Sequence, residues 1–112
     1  MNLEVEDLAD GVTAARLNGR MDIEGAQAVD MKFNVLSGTK KKLVIDMSGV
    51  TFIASMGLRT LMMCARSMAS KGAKMAIAGA QPNVMKVLET SGMSQIVPVT
   101  ASVDDAIAAV AG

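Results

Sequence analysis

Residues 43–72, LVIDMSGVTFIASMGLRTLMMCARSMASKG, decide the fold. Leu43-Val44-Ile45 shows no polar alternation and is followed by Asp46, the pattern of a central strand covered on both faces. Ser48-Gly49 reads as a turn and Val50 to Ile53 as a short extended piece leading into Ala54-Ser55-Met56-Gly57. Beyond it Leu58, Leu61, Met62, Ala65 and Ala69 recur at spacings of three and four, the period of one helix face. Lys71-Gly72 ends that helix with a cation in the last turn and a residue that tolerates the capping conformation. A covered strand feeding directly into a helix is the repeating unit of an α/β sheet.

Toward the N-terminus, Leu3, Val5 and Leu17 flank Asp10-Gly11, a dipeptide suited to tight hairpin turns, so residues 2–9 and 12–18 read as an antiparallel hairpin. Ile23, Ala26, Val29, Phe33 and Leu36 then repeat at helical spacing, with Asp22 ahead of them as an N-cap and Ser37-Gly38 near the end. Toward the C-terminus, Ala73 to Ala78 is a second parallel-type strand. Pro82 opens a helix carried by Val84, Val87 and Leu88 and closed by Gly92, and Ile96 to Val99 is the last strand. Ser102 and Asp105 form a capping box for a short closing helix with Ala106, Ile107 and Val110. The expected architecture is one α/β domain over residues 1–112: a mixed sheet, antiparallel hairpin first and parallel strands after, with about four helices.

Composition removes most chemistry. The 11 Lys and Arg balance 11 Asp and Glu, so no basic field exists for nucleic acid or an anionic membrane. With no His and the single Cys64, intrachain disulfides, Cys/His zinc sites and Ser-His or Cys-His catalysis are excluded. Glu4, Glu6, Asp7 and Asp10 stand where a secretory signal needs a basic start, so a cytoplasmic location is expected. The longest uncharged stretch, Thr90 to Val103, is too short and too polar to insert into a membrane. Eleven Met against two aromatics, Phe33 and Phe52, give an aliphatic core and leave some thioethers for adaptable surfaces.

Ser55 is the residue with two readings. It is a natural N-cap for the helix that follows, worth about 1 kcal/mol, and it is equally a position where a phosphate would meet free amides and the positive end of the helix dipole. If Leu58, Leu61, Met62 and Ala65 face the core, Met56, Arg59, Met63, Arg66 and Ser70 form the outer face, either a solvated stripe or a docking surface. Asp46 at a strand end is reminiscent of a receiver phosphoacceptor, but no Lys follows Lys86 to complete that chemistry. Lys40-Lys41-Lys42 reads as a solvated turn and Cys64 as a small buried apolar residue.

VIDMSGVTFIASMGLRTLM at 44–62, preceded by NGRMD at 18–22 and followed by PNVMKVLETSGM at 82–93, resembles the STAS domain of anti-sigma factor antagonists over nearly the whole chain. The resemblance implies partner switching. The unphosphorylated antagonist binds an anti-sigma factor serine kinase, phosphorylation of Ser55 releases it, and a metal-dependent serine phosphatase resets it. ATP and metal would belong to those partners, so the chain itself is expected to be no enzyme, with no catalytic residue, metal or cofactor of its own. The implied partner surface comprises Asp22, Met56, Gly57, Arg59, Met63 and Arg66. Two residues depart from the usual acidic-Ser-Ser/Thr-Gly core: Ala54 stands in the acidic position and Met56 in that of the second hydroxyl. Those departures keep open an alternative, a nonswitching STAS adaptor subunit of a signalling scaffold or lipid-transport complex. A small-molecule or enzymatic role is a third reading, without a glycine-rich phosphate loop or metal cluster to support it.

Overall fold

The computed structural model describes residues 1–111. Five strands lie in the order β1-β2-β3-β4-β5. β1 (Asn2–Asp7) and β2 (Val12–Met21) are antiparallel, joined by a tight turn in which Asp10 and Gly11 both adopt positive φ (62° and 78°). α1 (Ile23–Thr39) carries the chain to β3 (Lys42–Ile53), and α2 (Ser55–Ser70) to β4 (Lys74–Ala78). From there α3 (Pro82–Thr90) and the single-turn α4 (Met93–Ile96) lead to β5 (Val99–Thr100), and α5 (Val103–Val110) closes the described chain. The pairings β2–β3, β3–β4 and β4–β5 are all parallel. The expected mixed α/β sheet is therefore present, with α4 as an additional helix.

Alternation along β3 builds two layers. Leu43, Ile45 and Met47 enter a main core with Val29, Phe33 and Leu36 of α1, Leu61, Ala65 and Met68 of α2, and Val84 and Leu88 of α3. Burying side chains of this size stabilises by about 1.5–3 kcal/mol each. Val44 points the other way, into a smaller cluster of Val12, Ala76 and Ala78 covered by Ala106 and Val110 of α5. The absence of polar alternation at 43–45 thus has the cause inferred for it.

Some boundaries differ from expectation. Ser48-Gly49 is not a turn: β3 runs through it for 12 residues, because parallel pairing with β2 continues to Met21↔Ile53 and irregularities near Arg16–Arg20 absorb the misfit. β1 ends at Asp7, before Leu8-Ala9, and β2 extends past residue 18 to Met21. The last strand is Val99–Thr100 rather than 96–99, since Ile96 closes α4 and Val97 donates its amide to the Met93 carbonyl. Ile23 is exposed instead of opening the buried stripe of α1, as a first-turn residue overhanging the end of the sheet.

Candidate functional site

Two helix starts lie side by side at one end of the sheet. Because Met21 pairs with Ile53, Asp22 and Ala54 leave β2 and β3 as neighbours, and the Ala54 amide donates to the Met21 carbonyl at 2.9 Å. α1 begins with its N-cap closed: the Gly25 N–H donates to Asp22 Oδ1 at 2.8 Å, and Glu24 adds an acid to the first turn. α2 begins open. Its N-cap is Ala54, which is extended (φ −102°, ψ 175°), has no side-chain oxygen, and is followed by a first turn without an acid.

Ser55 is consequently the first helical residue and is exposed, and no side-chain hydrogen bond caps α2. The N-cap reading of Ser55 is corrected. The strand-end hydrogen bond from Ala54 to Met21 holds residue 54 extended, so the cap position falls one residue before the serine. Gly57 is also corrected as a contact residue, because it is buried. A Cβ there would stand 2.6 Å from Met21 Cγ and 2.7 Å from the Met21 carbonyl oxygen. Gly25, at the same position of α1, is tighter still, 2.1 Å from the Arg20 carbonyl oxygen. Both helices seat directly on the end of β2 because neither has a side chain there.

The other surface residues fall as helical geometry requires. Met56, Arg59 and Met63 are exposed and line one wall of a cleft of about 470 Å³, with Gln27, Asp30 and Asn34 of α1 opposite. Arg66 is exposed beyond that lining, and Ser70 is exposed as well. Cys64 is buried on the opposite side of α2, and burial pushes its thiol pKa up to about 11.

Three neighbours were not singled out by sequence reasoning. The Arg20 guanidinium lies 4.5 Å from the centroid of the Phe52 ring and 3.8 Å from Asp22 Oδ2, and Phe52 and Ile23 are both exposed. The signal available was positional, since residues at the last turn of a strand or the first of a helix overhang the core. Other candidate residues have structural work. Asp46 accepts from the Ser48 amide at 3.0 Å and faces Arg16 at 3.8 Å, while Lys40 pairs with Asp7 and Lys42 reaches the Asp10 carbonyl, tying down the hairpin turn. Thr51 donates to the Gly19 carbonyl at 3.4 Å. Among the described residues no group of three or more acids or cysteines converges as a metal site. Among the described residues no helix is long and apolar enough to cross a membrane.

The family model of the STAS domain matches residues 6–106. The chain is a STAS domain. Among STAS relatives, the anti-sigma F factor antagonist of Paenibacillus polymyxa is 28% identical over 102 residues, covering 88% of this chain and 87% of its own length. The crystal structure of an anti-sigma factor antagonist from Mycobacterium paratuberculosis superposes with a TM-score of 0.90 at 28% identity, covering 99% of this chain and 94% of the other. The STAS domain of a SulP transporter from Vibrio cholerae shares the fold alone, with a TM-score of 0.72 at 23% identity over 91% of this chain and 82% of that one.

Proposed function

We propose that this STAS domain is an anti-sigma factor antagonist that binds an anti-sigma serine kinase through the α1–α2 cleft and the outer face of α2, and is released by phosphorylation of Ser55. The observation that carries the reading is the open start of α2: an exposed serine hydroxyl, committed to no cap, at the head of the Met56–Arg59–Met63 wall. The likeness to antagonists of two organisms supports it.

The physics of release follows from the same geometry. A phosphate on Ser55 carries about −1.5 to −2 charge. The first-turn amides of α2, left without a side-chain cap, can stabilise it by about 1 kcal/mol through hydrogen bonds and the dipole, so the modified chain stays folded. That charge would enter at the helix start neighbouring the Asp22 cap, one residue ahead of Met56 at the head of the cleft wall. A kinase surface docked there loses apolar contact to a charge that must be desolvated. Recognition is reversed without a change of fold.

A second reading rests on Ala54 and Met56, which surround the hydroxyl with apolar side chains and favour a permanent adaptor contact. Incubation with an anti-sigma serine kinase of the same organism and ATP, with mass-spectrometric mapping and pull-down of wild type and Ser55→Ala, separates the two. Phosphate on Ser55 with loss of kinase binding is expected. An active kinase that leaves Ser55 unmodified would leave the adaptor reading standing.

A further inference from the structure

The two edges of the sheet are not equally protected. β5 is two residues long, follows Pro98, and its Thr100 hydroxyl is engaged with the Ile77 and Ser102 carbonyls. β1 is six residues long, contains no proline or lysine, and forms the end of the sheet with nothing paired to its outer side among the described residues. Short strands, prolines and lysines are the usual means of blunting an edge.

Beside this open edge runs an apolar groove of about 800 Å³ between β1 and α1. Leu3 and Leu36 form its floor, and Val5, Met31 and Val35 form walls that are 49%, 78% and 58% exposed. The Lys32 ammonium reaches the Leu3 carbonyl at 3.5 Å, at the limit of a hydrogen bond, so an incoming backbone amide could replace it. The other face of β1 is acidic. Glu4 and Glu6 project there, with Asp46 beyond them and only Arg16 between, bonded to Glu6. α5 packs over β3 and β4 and leaves this corner open.

A strand laid along β1 would continue its alternation: residues on one side would meet Val5, Met31 and Val35, and those on the other Glu4 and Glu6. A second copy of the chain is a poor occupant. Antiparallel self-pairing centred on Val5 sets Glu4 opposite Glu6 twice, and like charges directly opposite are destabilising. The acids that forbid self-pairing favour a strand carrying the opposite charge. We propose that the β1 edge and its groove accept an extended segment of another protein in which basic and aliphatic residues alternate, added to the sheet as a further strand. This surface is separate from the α2 site and does not depend on Ser55.

The test is a nuclear magnetic resonance titration of the isotope-labelled full chain with a short acetylated peptide alternating lysine and valine, against one alternating glutamate and valine. The lysine peptide should shift amides of residues 2–7 and of Met31 and Val35, leave those of 55–63 unmoved, and bind at least about tenfold tighter than the glutamate peptide. Val5→Lys and Met31→Glu, both at exposed positions, should abolish the shifts while the remaining spectrum stays folded. No shift at millimolar peptide, or equal shifts with both peptides, overturns the proposal. So does a concentration-dependent dimer abolished by Met31→Glu, which would give the groove to a second copy. Shifts of the same residues on phosphatidylglycerol vesicles but not on peptide would give it to a membrane surface and overturn it equally.

Discussion

The starts of α1 and α2 are built on one plan and finished differently. Each helix leaves a parallel strand, each has its third residue a glycine pressed against the end of β2, and the two cap positions are neighbours. At α1 the cap is a carboxylate bonded to the glycine amide; at α2 it is a methyl group, followed by a free hydroxyl. Ser102 at α5 shows what a capping serine looks like in this fold, accepting from the Asp105 amide at 3.1 Å. The contrast separates anchoring from availability. A hydroxyl or carboxylate that caps is occupied, and of these two neighbouring entrances α2 is the one without a side-chain cap.

The largest effects should come from what the two starts share. Gly25→Ala should cost about 3 kcal/mol or more and Gly57→Ala about 2 kcal/mol in denaturant unfolding, because in each case the new methyl meets the backbone of β2. Equal and negligible losses would mean that the helices do not sit on β2 as described.

Next come the caps, in opposite directions. Asp22→Ala should lose about 1 kcal/mol, whereas Ala54→Asp should gain about 1 kcal/mol by closing α2 in the manner of α1. A loss on Ala54→Asp would break the parallel between the two starts. Ser55→Ala, although it removes the proposed phosphoacceptor, should change stability by less than about 0.5 kcal/mol, since that hydroxyl does not cap. A cost as large as that of Ser102→Ala would return Ser55 to the capping role.

The smallest effect is read at Cys64, on the closed side of α2. Its raised pKa makes the thiol slow to alkylate at pH 8 in the native chain, and Gly57→Ala should accelerate the reaction by loosening the helix. The neutral thiol is the form favoured by folding. Its contribution is therefore complete below the ordinary value of 9.0 and is lost as pH rises toward about 11. A native alkylation rate equal to that of the unfolded chain would show that α2 is open along its length.

Much of this arrangement was legible in the sequence where periodicity is long. The outer stripe Met56, Arg59, Met63, Arg66 and Ser70 is exposed as spacing requires, although the buried face is turned from the expected one: Leu61 and Ala65 are buried with Thr60, Cys64 and Met68, while Leu58 and Met62 are half-buried and Ala69 is exposed. The cap was not legible. Within Ala-Ser-Met-Gly, propensity favours Ser55, yet a backbone hydrogen bond to Met21, more than thirty residues earlier, sets the position at Ala54. Gly57 lay in the right motif but was assigned to the surface, because nothing local reveals that β2 approaches it. The same holds for Phe52 and Ile23, whose exposure depends on where neighbouring elements stop. β5 slipped for a related reason: Ile96 and Val97 carry strand-like side chains, and the turn of α4 claims the first of them.

α5 has a consequence of its own. It covers the second face of the sheet through Ala76, Ala78 and Ala106, with Val12, Val44 and Val110 as the larger contacts, while α1, α2 and α3 share one larger core on the opposite face. Alanine contributes one methyl per contact, so detaching α5 exposes less apolar area than detaching α1, which carries Val29, Phe33 and Leu36, or α2, which carries Leu61, Ala65 and Met68. Local opening with so small a penalty is a separate cooperative unit, reached well below the free energy of global unfolding. The sheet and both helix starts survive it intact, and the amides of residues 103–110 should lose their exchange protection before those of α1 and α2.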